Sequence, residues 1–240
     1  MHLVLLETAG KQSYLFATNR LCENVGASEL TYQACTQFVL EAVNKQGGPD
    51  LWSIDPNMLR KSIREKQSPI ESAKTQIEVI IATTGKALLL VENEQVGRNI
   101  VSEVTKNALL AAPHLDICGV ISEPFEWDNN NIQGQITALQ KTFEKVRCSY
   151  PQSVARFPSL PITALCESSG LPAYTVVKNG GSDMGAAETG FEISSVSYHK
   201  QEAADAWIER MGKILTGTKR FAVTSISELE KYFAAVPWFA

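Results

Sequence analysis

The sequence predicts an α+β fold, and three observations carry the prediction. An apolar run near the start, Leu3-Val4-Leu5-Leu6, ends in Glu7 and meets a Gly-containing turn, as a buried strand would. Two apolar runs, Ile77–Ala82 and Ala87–Val91, flank the turn Thr83-Thr84-Gly85-Lys86 and read as a β-hairpin. Around them lie segments whose apolar residues recur every three or four positions, the period of a helix.

Taken in order, residues 3–7 form the first strand, and 14–18 a second after the turn Thr8-Ala9-Gly10-Lys11-Gln12. The small-residue corner Gly26-Ala27-Ser28 opens a helix, with Ser28 as N-cap and Glu29 in the first turn, where the helix dipole favours an acid. Leu30, Ala34, Phe38 and Ala42 form its apolar stripe, and Gly47-Gly48-Pro49 stops it. Residues 47–76, with Pro49, Pro56 and Pro69, read as a surface excursion holding one short helix around 56–66. A helix over Glu94–Leu110 presents Val96, Ile100, Val104 and Ala108, Pro113 follows its end, and Leu115–Ile121 is another strand. Strand, helix, hairpin, helix, strand is the β-α-β-β-α-β order of the ferredoxin-like fold. Residues 1–125 are therefore expected to form that domain. The topology sets the end of the first strand beside the hairpin turn, and so Gly10-Lys11 beside Thr84-Gly85-Lys86.

Residues 126–240 read as an α/β extension packing on this domain. Ile132, Ile136, Leu139, Phe143 and Val146 mark a helix, and Pro158 and Pro161 bracket a turn before a strand-like Ile162–Leu165. The Gly-rich stretch 178–190 is expected to be a flexible loop, followed by a helix over His199–Leu215 and a short one over Ile226–Phe233.

Bulk properties narrow the function. The 240 residues are 44% hydrophobic and 20% charged, enough for a sizeable core. A net charge of −4 gives no global basic field for nucleic acid. The local run Arg60–Lys66 reads as a solvated helix face, and a nucleic-acid partner stays undecided. The five cysteines, Cys22, Cys35, Cys118, Cys148 and Cys166, form no C-x-x-C pair and read as reduced thiols. No basic segment precedes the first strand, and no apolar run nears the roughly 20 residues that span a bilayer, so no membrane partner and a cytoplasmic location are expected. His2, His114 and His199 stand apart from any ligand-spaced Cys or acid. Glu202, Asp205 and Glu209 share one helix face and read as solvated. Phe125, Trp127, Trp207 and Trp238 read as core or interface rather than as a base-stacking platform.

Two turns hold the candidate site: Thr8-Ala9-Gly10-Lys11-Gln12, which Glu7 precedes, and Thr83-Thr84-Gly85-Lys86. Nucleotidyl-transfer palms place one acid at the end of the first strand and two in the hairpin turn, where they hold divalent metals. Glu7 fits the first position, whereas the turn offers Gly85 and Lys86. A lysine cannot ligate magnesium but can meet a phosphate as a point charge. Thr8-Ala9-Gly10-Lys11 is not a P-loop; an ordinary Gly turn and a phosphate or ribose contact both remain open there.

Five segments resemble one known family: Leu6–Thr31, Ile80–Val91, Ala112–Trp127, Pro161–Ala173 and Ser195–Met211. They are similar to the palm modules of the large subunit of type III CRISPR effector complexes, the cyclic-oligoadenylate synthetases. The nearest resemblance is to those with a second palm domain. Ile80–Val91 sits where that family's GGDD-type hairpin belongs, with both metal acids missing. Cys166-Glu167-Ser168-Ser169 sits where many relatives have half of a C-x-x-C zinc knuckle; the second thiol is gone and zinc is not expected. Val236-Pro237-Trp238-Phe239-Ala240 resembles the Trp-containing strand that leads into the second palm. The resemblance implies a degenerate first palm that works with a second palm domain or subunit. In the family two palms clasp two ATP molecules, so ATP is the expected ligand, with magnesium only where a second palm is present. The resemblance implies that Gly10, Lys11, Gln12, Ser13, Thr84, Gly85 and Lys86, with Glu7 at the strand end, contact the nucleotide without catalysing.

Three readings follow. The first is a non-catalytic palm that binds nucleotide, or scaffolds, in antiviral defence and cyclic-nucleotide signalling. The second is an active metal-dependent nucleotidyl cyclase using Glu7 and a further acid such as Glu92 or Asp183. The third is a pure protein-assembly module. A homo-oligomer is compatible with each.

Overall fold

A computed structural model describes residues 1–53, 55–72, 74–126, 132–149, 160–177 and 190–216, with side chains to Gly212 apart from that of Pro56. The main sheet has four strands: β1 (His2–Ala9), β2 (Ile77–Thr83), β3 (Lys86–Val91) and β4 (Asp116–Ile121). They lie in the order β2-β3-β1-β4, every neighbouring pair antiparallel. This is the expected α+β architecture in its ferredoxin-like order.

The apolar run of β1 is unbroken because both faces of this central strand are covered. Leu3 and Leu5 pack with Leu88, Leu90, Val120, Leu139 and Phe143, the last two from α6 (Ile132–Ser149). Val4, of opposite parity, lies against Gly97 of α5 (Glu94–Ala111), whose Ile100, Val104 and Ala108 are fully buried. Leu3, Val4, Leu5 and Leu6 are all buried. At about 2 kcal/mol each, they anchor the sheet more firmly than any local propensity could. Edge strand β2 carries a bulge between Val79 and Ile81, an irregularity that discourages edge-to-edge pairing.

Helices α1 (Lys11–Leu15), α2 (Leu21–Cys35) and α3 (Gln37–Lys45) follow β1. The stripe Leu30, Ala34, Phe38 and Ala42 is buried throughout, although the chain breaks between α2 and α3. Thr36 marks the break and donates its hydroxyl to the Tyr32 carbonyl (2.6 Å), a back-bond that bends helices. Helix α4 (Pro56–Glu65) fills the 47–76 excursion, and its Arg60, Lys61 and Arg64 are exposed.

Several local expectations are corrected. Residues 14–18 are not a strand: α1 runs to Leu15, and Phe16 is 71% exposed. Both sides of β1 are already taken by β3 and β4, so a returning strand has no place beside it. Ser28 is not an N-cap, because α2 starts seven residues earlier, at Leu21, and Ser28 is exposed in mid-helix. Gly26 is small because the Lys200 backbone packs on it, and Ala27 is fully buried; the chain does not turn there. Glu29 is buried in mid-helix rather than lying in a first turn. Ile162–Leu165 is no strand either: Leu165 makes a single bridge to Pro172, and Ile162 is 93% exposed.

The chain divides into two compact units, Met1–Tyr14 with Leu30–Pro158, and Leu15–Glu29 with Ser159–Ala240. In the second, β5 (Ala173–Val177) and β6 (Phe191–Ser194) form a hairpin that the sequence did not reveal. Helix α7 (Ser195–Thr216) follows it directly. The expected loop at 178–190, all but Gly190, lies outside the described residues, as do the helix Ile226–Phe233, the strand-like 236–240, Trp127, Trp238 and Asp183. Among the described residues no helix is long and apolar enough to cross a membrane.

Candidate functional site

Strand register builds the site. Glu7 of β1 is the cross-strand partner of Lys86 of β3, and the Lys86 Nζ–Glu7 Oε2 distance is 3.3 Å. Both point to the face that holds Leu5 and Leu88. The Thr8 N–H donates to the Gly85 carbonyl at 3.0 Å, which pins the hairpin turn to the end of β1. Gly85 has φ +76°, and a Cβ there would fall 2.4 Å from both Cε and Nζ of Lys11 and 2.7 Å from Thr8 Oγ1. The Lys11 side chain therefore lies across the turn, a position open only to glycine. Thus Glu7, Lys11, Gly85 and Lys86 come together. Thr84 is exposed at the tip, Gln12 and Ser13 are exposed on α1, and Gly10 is where the chain leaves the sheet. Behind them, burial pushes the Cys35 thiol up to about 12, with the Lys11 ammonium acting the other way. That thiol is no nucleophile.

The Glu7–Lys86 pair is part-exposed, at 30% and 39%. Pairs of that kind contribute about 1 kcal/mol or less, so Lys86 can exchange Glu7 for a phosphate at little cost. As a metal site the same place is poor. Glu92, a candidate second acid, follows Val91, which pairs with His2 at the opposite end of β1 from Glu7. Among the described residues no three His, Cys, Asp or Glu side chains gather as metal ligands.

Above the pair, α6 closes one side of a groove of about 600 Å³. Leu5, Glu7 and Lys86 line the sheet side, and Thr137, Gln140, Lys141, Phe143, Glu144 and Lys145 line the helix side. Sequence reasoning read α6 for its apolar stripe and passed over this polar face. The legible signal was Lys141 and Lys145, one turn apart on the helix.

A second polar cluster lies inside the second unit. Glu23 of α2 is fully buried and accepts hydrogen bonds from Thr18 Oγ1 (2.9 Å), Ser197 Oγ (3.1 Å) and Gln201 Nε2 (3.1 Å). Ser197 spends its one hydroxyl proton on Glu23, so it accepts from Ser168, 3.0 Å away. Cys166 Sγ lies 3.2 Å from Ser168 Oγ, and Ser169 Oγ is 2.9 Å from Ser194 Oγ. Where the family resemblance looks for a zinc knuckle, this turn is held by hydroxyl hydrogen bonds. Glu29 pairs with Arg210 at 2.5 Å, both nearly buried. Glu202, Asp205 and Glu209 are exposed, as their spacing implied.

Lys200 is also fully buried, and burial draws its ammonium down to about 8, opposed by the Glu23 carboxylate. Between that value and its usual 10.5 the folded chain holds fewer protons than the unfolded chain. Stability should therefore rise by about 2 kcal/mol as pH climbs through this window. Urea unfolding at about pH 7.5 and about pH 10 checks this, with Lys200→Met expected to lose the rise. An equal rise in the variant would show that Lys200 is not its source.

Sheet order and the charged strand end define a ferredoxin-like α+β module with a basic groove over one face of its sheet. No protein-family model matches the chain, and no curated protein does. Among solved structures it is similar to a chain in the cryo-EM structure of type III-B Cmr-beta in its apo state. The TM-score is 0.52 and the identity 12%, over 98% of this chain and 34% of that one. At that identity the likeness is one of fold, and the present chain spans about a third of the length of its match.

Proposed function

We propose that this chain is a non-catalytic, palm-type module that binds a nucleotide in the large subunit of a type III CRISPR-like effector. Its partner is a second palm, in the same protein or in another subunit, which supplies the metal-binding acids. Fold likeness to a chain of type III-B Cmr-beta supports the setting, antiviral defence. One observation carries the role: where a catalytic palm needs clustered acids, Glu7 is ion-paired to Lys86 and Lys11 lies across Gly85. Two ammonium groups at this place suit phosphate recognition, and one paired carboxylate does not suit two-metal catalysis.

ATP titration with and without magnesium tests the reading. Binding without turnover is the expected result, and Lys86→Glu should weaken it by about tenfold or more. Magnesium-dependent turnover by this chain alone would replace the proposal with an active cyclase. Absence of binding would leave an assembly module.

A further inference from the structure

We infer that the groove between α6 and the sheet holds a polyphosphate chain, with Lys141 and Lys145 as its phosphate contacts and Lys86 turning from Glu7 towards it. The inference rests on the nucleotide-binding reading above and deepens it. It moves the phosphates off the β1–α1 turn and under a helix outside the βαββαβ core.

Charge accounting inside the groove is the first argument. Three ammonium groups, Lys86, Lys141 and Lys145, face two carboxylates, Glu7 and Glu144. Glu7 is held by Lys86 at 3.3 Å, and Glu144 by Arg147 at 3.7 Å, from outside the lining. Lys141 and Lys145 thus have no carboxylate partner among the described residues. They sit one helical turn apart, so their ammonium groups lie along the same wall. Two cations in line, and a third released by exchanging a weak ion pair, match a ligand with several adjacent negative charges better than a single carboxylate.

The surroundings agree. The groove's volume, about 600 Å³, is that of a small-molecule site. Leu5 and Phe143, both buried, give it an apolar floor. Gln140 adds a neutral donor, whereas the Thr137 hydroxyl donates to the Gln133 carbonyl at 2.8 Å. The charge is balanced by lysines, so binding needs no divalent cation and persists in a chelator.

Calorimetric titration of the full chain in chelator, with ATP, inorganic tripolyphosphate and adenosine, tests this directly. The unaltered protein should bind ATP and tripolyphosphate but not adenosine. The double variant Lys141→Ala/Lys145→Ala should lose at least about tenfold in affinity for both anions. Both side chains are exposed, so its thermal unfolding should be unchanged. Undiminished ATP affinity in the double variant, together with loss in Lys86→Glu, would overturn the groove assignment and leave the nucleotide reading standing. ATP binding that tripolyphosphate cannot displace would do the same, since the base would then drive recognition. Failure of the unaltered protein to bind any of the three would overturn both.

Discussion

Gly26→Ala is expected to destabilise the second unit by more than about 3 kcal/mol. A Cβ at Gly26 would fall 1.6 Å from the carbonyl oxygen of Lys200 and 2.6 Å from its carbonyl carbon. Both contacts are to backbone, so no rotamer relieves them and α2 must move away from α7. Moving apart opens the packing around Ala27, Ala203 and Ala204, all buried. It also stretches the hydrogen bonds from Ser197 and Gln201 to Glu23. The sign of the effect is diagnostic. On helix propensity alone, alanine in place of a mid-helix glycine would stabilise by about 1 kcal/mol. Urea unfolding followed by circular dichroism separates the two outcomes. A variant as stable as the parent, or more so, would show that the two helices do not pack this closely.

Glu23→Ala should cost about 3–5 kcal/mol, the range for removing one partner of a buried charged network. Thr18, Ser197 and Gln201 lose their common acceptor, and Lys200 loses the carboxylate that favours its charged form. Each orphaned donor carries a desolvation penalty of about 1–3 kcal/mol that water reaches poorly in this interior. Glu23→Gln keeps one acceptor oxygen and the shape, and should cost about half as much. Equal stability of Glu23→Ala and the parent in urea would mean that the cluster is solvated and carries no structural load.

How far the fold could be read in advance depended on whether a signal was local. The four strands of the main sheet, the hairpin turn and helices α4 to α7 all rest on short-range patterns: continuous or periodic apolar runs closed by Gly, Pro or Asn. Misreadings fell at the strand-like Ile162–Leu165, at the unforeseen β5–β6 hairpin, and above all from the end of β1 through α2, where the deciding partners are remote in sequence. Tyr14-Leu15-Phe16-Ala17 is apolar enough for a strand, but β1 has no open edge for it. Gly26-Ala27-Ser28 has corner composition, but its smallness accommodates the Lys200 carbonyl, far along the chain. Glu23, Glu29 and Lys200 look like surface charges in sequence and are buried, because each meets polar or charged partners supplied by folding.

The candidate site divides in the same way. Glu7 at a strand end and Gly85-Lys86 in a hairpin turn are local facts, and the βαββαβ order already placed them side by side. Their direct pairing depends on the β1–β3 register, which sets Glu7 opposite Lys86. Lys141 and Lys145 depend on where α6 docks, which their own segment does not encode. By itself, the sequence determined the secondary structure of the sheet, its topology and the absence of acids from the hairpin turn, since these follow from periodicity and residue type. Only the tertiary structure decided which charges are buried, which are paired and which stand free over the sheet. Those properties depend on the distance and dielectric between groups far apart in the chain.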